Sequence, residues 1–131
     1  MVNNVLNRLS RIIVGAFFML FTLVSLGQAE IKFEEKVQKF EKTKPGPVLE
    51  FDYSFTNTGD QPLIITELKV TCTCTKFTFP KEPIAVGEKA IVHVAFDTNH
   101  KIGYQDRIIE IYSNAKSSPD KIRFKGVVDN K

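Results

Sequence analysis

From Glu30 onward, apolar and polar residues alternate with a period of two, in short runs broken by Gly, Pro and Asn. The clearest run is Val48 to Thr56. Leu49, Phe51, Tyr53 and Phe55 fall on one side, and Glu50, Asp52, Ser54 and Thr56 on the other. This predicts a half-buried antiparallel strand. It stops at Asn57-Thr58-Gly59-Asp60-Gln61-Pro62, where Gly and Asn accept positive φ and Pro cannot donate to a ladder. Six further strands are predicted: Ile31 to about Phe40, Leu63 to Thr73, Lys76 to Phe79, Ala90 to Asp97, Gln105 to Tyr112 and Lys121 to Val128. The alternation lapses inside the first of these, at Glu34-Glu35-Lys36.

No helical period is sustained anywhere in this region. Seven strands, with a turn signal about every ten residues, predict an all-β Ig-like antiparallel β-sandwich. The chain has no Trp and its two cysteines are nearly adjacent, so the Trp and inter-sheet disulfide of antibody domains are missing and only the architecture carries over.

Those cysteines, Cys72 and Cys74, lie in Val70–Phe77 (VTCTCTKF). On strand parity, Ile64, Thr66, Leu68, Val70, Cys72 and Cys74 share one mostly apolar face. The pair then continues the core-facing row as small hydrophobes, the reading this pattern favours. Phe77 and Phe79 are equally apolar but have the opposite parity, which predicts a bulge or a bend between sheets after Cys74. Residues i and i+2 of a regular strand lie about 6.6–7 Å apart, and a disulfide wants Cβ atoms about 3.5–4.5 Å apart. A local bond would need a tight turn about Thr73, a stiff β-branched residue suited to strands. If formed, it would be a redox pair. A metal site is the third reading: copper(I) accepts two thiolates, and zinc needs further ligands. The two imidazoles, His93 and His100, read as surface residues, one on the outer side of its strand and one in a polar loop.

Upstream, Arg8 and Arg11 precede the apolar run Ile12 to Leu26, which is followed by Gly27-Gln28-Ala29. A basic start, a short apolar stretch and small residues near its end predict a signal peptide over residues 1–29, cleaved after Ala29. The domain is then 30–131. Fifteen residues fall short of the roughly 20 that span a bilayer, so no stable membrane insertion is expected once the leader is cut, with an uncleaved anchor as the alternative. No cysteine follows the run to take a lipid. Residues 1–29 hold two arginines and no acid, so the net charge falls from +3 to +1 on cleavage. Lysines and acids are interspersed with no block of one sign, which argues against nucleic acid or anionic lipid as a partner. There is no Ser/His/Asp spacing, Gly-rich phosphate loop or HExxH motif. No catalytic residue, cofactor or metal ligand is assigned, apart from the alternative of soft-metal binding at Cys72 and Cys74.

The stretches FTNTGDQPLIITELKVTCTCT, PIAVGEKAIVHVAFDT and GYQDRIIEIYSN resemble the bacterial family of domain of unknown function 1573 (DUF1573), itself similar to Hydin-type Ig-like domains. The resemblance rests on Asn57–Asp60, Pro62–Ile65, Cys72–Thr75, Pro83–Glu88 and Phe96-Asp97. Thr73 stands where the family pattern has Gly, and Val86 where it has a second Pro. The lost Gly removes the freedom that a tight local turn would use. What the resemblance implies is an exported Ig-like sandwich of bacterial type, with no reaction attached. The expected function is therefore a non-enzymatic module in the periplasm or at the cell surface. It would contact protein partners, by strand addition at an open edge. The alternative is thiol redox or copper or zinc binding through Cys72 and Cys74.

Overall fold

The computed structural model describes residues 2–8 and 26–131. Residues 2–8 are helical, and the apolar run of the expected leader lies, apart from Leu26, outside the described residues. Eight strands follow: β1 (Ile31–Phe33), β2 (Val37–Lys39), β3 (Val48–Asn57), β4 (Ile65–Val70), β5 (Thr75–Thr78), β6 (Lys89–Asp97), β7 (Gly103–Ser113) and β8 (Asp120–Val128). They form two four-stranded sheets, ordered β1-β3-β6-β5 and β2-β8-β7-β4. The fold is an Ig-like β-sandwich.

Alternation places the core where the pattern predicts it. Phe51, Tyr53 and Phe55 of β3, with Val92, Val94 and Phe96 of β6, are buried against Ile109 and Ile111 of β7 and Ile122 and Phe124 of β8. Phe124 is the pin between the sheets. Its ring stacks on Phe51 with centroids 4.8 Å apart and lies 5.0 Å from Phe96. Tyr53 is buried along its ring, and its hydroxyl donates to the Arg123 carbonyl at 2.8 Å. Burial, and secondarily the charge of Glu35, push this phenol well above its ordinary range.

The structure differs from the sequence reading in three places. The expected opening strand is two strands on different sheets. β1 runs antiparallel to β3 and β2 runs parallel to β8. The crossing falls on the charged Glu34-Glu35-Lys36, where the alternation lapsed. The chain stays anchored there by Glu34 N–H to Ser54 O (3.0 Å) and Arg123 N–H to Lys36 O (2.7 Å).

The second difference is in β4. The register shifts between Ile65 and Glu67, so Ile65 and Leu68 enter the core while Ile64 is 42% exposed. The row of Ile64, Thr66 and Leu68 on one face is therefore corrected: a bulge at Thr66, whose hydroxyl donates to Tyr112 O at 3.2 Å, inserts one residue and inverts the parity behind it. Leu63 is buried through a separate bridge to Ile84. Third, β4 ends at Val70 rather than Thr73, so neither cysteine lies in a strand.

Candidate functional site: the turn that joins the two sheets

Between Val70 and Thr75 the chain leaves one sheet and enters the other. Val70 is paired with Ile109 on β7, and Thr75 is paired with Phe96 on β6. Thr73 and Cys74 form a turn, closed by Thr75 N–H to Cys72 O at 3.2 Å and tied to β6 by Asp97 N–H to Cys74 O at 2.9 Å. The turn brings the two Cα atoms to 5.2 Å, and Cys72 and Cys74 are joined by a disulfide. That separation is ordinary for a disulfide, whereas an extended i to i+2 span is not.

The reading of both cysteines as reduced members of a strand row is thus corrected. Thr73 does not prevent the turn and stands exposed in it. A bend between sheets is present as predicted, but it lies across residues 71–74 rather than between Cys74 and Phe77, since β5 is already regular from Thr75. Both cysteines are half-buried, and Cys74 packs against the core. Cys72 Sγ also receives the Cys74 N–H at 3.2 Å.

So short a closed loop does little for the fold. Chain-entropy arguments give on the order of 1.5 kcal/mol for three residues, about a third of the value for a hundred-residue loop. The Cys72→Ala/Cys74→Ala double variant is therefore expected to keep its fold and lose no more than about 2 kcal/mol in urea unfolding. A loss of about 4 kcal/mol or more would make the bond a main support of the fold.

The histidines lie elsewhere. His93 is on the outer face of the β3–β6 sheet, with Nδ1 2.5 Å from Asp52 Oδ1 and Nε2 3.7 Å from Glu50 Oε1. The Asp52 hydrogen bond, with the charges of Asp52 and Glu50, raises its pKa above the ordinary value against a smaller opposing effect of burial. His100 sits in the 98–101 turn at φ 58°. Among the described residues no group of three or more His, Cys, Asp or Glu is placed to hold a metal ion, and the disulfide engages both thiolates that a soft metal would need.

A folded-state pKa above the unfolded one means that protonated His93 stabilises fully below about pH 6.5 and that this contribution fades as pH rises through the raised value. His93 is over a third exposed, so the effect is small. The urea midpoint of the native protein is expected to fall relative to His93→Gln between about pH 6 and 9. A constant difference across that range would remove the coupling.

At the other end of the sandwich, the Asn57–Asp60 turn holds the segment entering β1. Asn57 is fully buried. Its Nδ2 donates to Gln61 O (2.7 Å) and Ile84 O (3.0 Å), and its Oδ1 accepts Gly59 N–H (3.1 Å). Asp60 N–H donates to Gln28 O at 2.9 Å and Thr58 N–H to Glu30 O at 3.0 Å. Gly59 leaves no room for a side chain, since a Cβ there would overlap the backbone of Gln28, Ala29 and Glu30. Ala29, the residue expected to precede the cleavage point, is itself buried. Parity arguments missed this contact, because it joins a turn to a segment with no alternation of its own; the Gly in the Asn-Thr-Gly-Asp run was its only trace.

The architecture and the paired sheets define the class: an all-β Ig-like domain. Solved structures share it at low identity. The ASH/PapD-like domain 7 of human CEP192 superposes with a TM-score of 0.63 at 12% identity, over 79% of this chain and 89% of that one. A Porphyromonas gingivalis W83 protein of unknown function gives 0.66 at 14%, over 82% of this chain and 51% of that chain, and the Vibrio cholerae VesB protease gives 0.57 at 16%, over 79% and 32%. The chain thus spans about half of the former and a third of the latter, and at these identities the likeness is one of fold. The chain belongs to the family described as protein of unknown function (DUF1573), which it matches over residues 31–128. No curated protein matches it.

Proposed function

We propose that the chain is an exported, non-enzymatic Ig-like domain acting as a protein-interaction or structural module in the periplasm or at the cell surface. Its partner is a protein segment that adds as a strand on the β4–β5 side. Both sides of the sandwich have two edge strands and a crossing between sheets, and the observation that carries this proposal is the half-buried apolar seam beside β4 and β5. On one side, the β1–β2 crossing runs from sheet to sheet, and Gln38 Nε2 bridges them to Asp52 O at 2.7 Å. On the other, β4 and β5 are both sheet edges, and half-buried Val70, Cys74, Phe77 and Phe79 pack against the core beside them. An extended segment laid there would gain main-chain hydrogen bonds and cover this apolar seam. Glu67, Lys69 and Lys76 on the same edges oppose indiscriminate pairing with other copies.

Photo-crosslinking residues introduced at Lys69 (β4) and Lys76 (β5) are expected to capture protein in the native compartment, while one at Lys121 on the inner strand β8 captures none. Equal capture at all three positions, or none at any, would remove the edge as the docking surface.

Export through the leader, with cleavage after Ala29, is part of the same proposal and is read by intact mass: the secreted chain is expected to begin at Glu30. Cutting there releases the Asp60 N–H from Gln28 O and empties the seat of Ala29. A chain beginning at Gln28 is accordingly expected to be more stable than one beginning at Glu30 by about 1–2 kcal/mol, one hydrogen bond plus one buried methyl. Equal urea midpoints would show that the contact carries no energy.

A further inference from the structure

We infer that the Cys72–Cys74 disulfide is a thiol–disulfide exchange site whose substrates are cysteine pairs in extended polypeptide segments. This goes beyond the docking reading. It draws on the proposed export only for the source of the substrates, because the exchange itself is read on purified protein.

Three observations converge. The pair spans a very short loop, so its contribution to folding is small and a structural role leaves it unexplained. Both cysteines are half-buried, immediately before β5, whose far side is an unpaired sheet edge. An extended chain paired along that edge and continued past Thr75 runs onto the turn that holds the two cysteines. Finally, the two sulfurs are unequal. Cys72 Sγ accepts the Cys74 N–H at 3.2 Å, whereas Cys74 Sγ has the Thr75 hydroxyl at 3.8 Å and packs on the core. A backbone N–H directed at sulfur stabilises a departing thiolate, so Cys72 is the better leaving group.

The step balances without a cofactor. A substrate thiolate attacks Cys74 Sγ, a new S–S bond forms there, and the Cys72–Cys74 bond breaks. Cys72 leaves with the electron pair as a thiolate held by the Cys74 N–H. The second substrate thiolate then attacks the substrate sulfur of the mixed disulfide, and Cys74 departs with its electron pair. Two electrons pass to Cys72 and Cys74, which take up the protons. The substrate pair ends as a disulfide. Throughout, Asp97 N–H to Cys74 O and Thr75 N–H to Cys72 O hold the backbone of the turn, so the opened thiols stay close enough for the reverse reaction. The exchange is stoichiometric, one substrate disulfide per protein.

The test uses the oxidised full chain and a reduced Cys-x-x-Cys peptide, quenched with an alkylating agent and read by intact mass. Peptide oxidation with the gain of two labels on the protein is expected, at least tenfold faster than the same peptide reacts with oxidised glutathione. In the single-cysteine variants, alkylation against pH is expected to place Cys72 (in Cys74→Ser) below Cys74 (in Cys72→Ser), with at least a tenfold greater thiolate fraction at neutral pH. A rate no greater than that of glutathione disulfide would overturn the proposal, provided the urea-unfolded protein still exchanges. Indistinguishable thiols in the two variants would overturn the assignment of Cys72 as leaving group.

Discussion

Replacing Phe124 by alanine is expected to destabilise the domain by about 3–5 kcal/mol, the usual range for emptying a fully buried aromatic site. The expectation rests on where the ring stands. Phe124 belongs to β8 of one sheet, and its two ring partners, Phe51 on β3 and Phe96 on β6, belong to the other. Truncation therefore removes apolar burial and two inter-sheet ring contacts at once, in the middle of the sandwich where neighbouring strands are fixed by their ladders and cannot collapse into the void. A domain of this size has about 5–15 kcal/mol in total, so the melting temperature should drop by roughly 15–30 °C. Phe124→Leu keeps most of the volume and should lose about 1–2 kcal/mol. Urea unfolding of the two variants separates the cases; a loss below about 1 kcal/mol for alanine would mean that the sheets are held elsewhere.

That core was legible in the sequence because strand alternation reports which face of a strand is apolar, and β3, β6 and β8 have one buried face each. Alternation does not report the partner of a strand. The lapse at Glu34-Glu35-Lys36 marked a break, yet nothing local says that Val37–Lys39 runs parallel to Arg123–Lys125 on the other sheet. A bulge is similarly silent. The extra residue at Thr66 leaves no mark in composition, but it moves Ile65 into the core and Ile64 out of it.

The cysteine turn failed for a related reason. Extending the parity of β4 through Cys74 presumed a continuous strand, and the stiffness of Thr73 counted against a turn. The conformation is decided by the sheet change, fixed from outside the segment by the Asp97 N–H on Cys74 O. The apolar run of the leader lies, except for Leu26, outside the described residues, and its reading rests on sequence pattern alone.

The Asn-Thr-Gly-Asp turn gives the second large effect. Asn57→Ala is expected to cost about 2–5 kcal/mol, because it leaves the Gly59 N–H and the Gln61 carbonyl without their partner, at about 1–3 kcal/mol for each group not rescued by water, while the Ile84 carbonyl keeps the Leu63 N–H. Asn57→Asp has the same shape but different chemistry. The carboxylate can still accept the Gly59 N–H, but it can no longer donate, and it turns negative charge toward two carbonyl oxygens. Both effects, with burial, raise its pKa above the ordinary value of about 3.9. A carboxyl whose folded-state pKa is raised stabilises below its unfolded value and loses that contribution as pH rises through the folded one. Asn57→Asp should therefore regain stability on acidification from pH 7 toward pH 4, while Asn57→Ala shows no such gain beyond the native protein's own profile. Parallel urea midpoints for the two variants over that range would show that Asn57 is valued for its volume alone. Diverging midpoints, with aspartate recovering, would establish that the turn is locked by the donating amide, and with it the seat that Gly59 leaves for residues 28–30 at the entrance to β1.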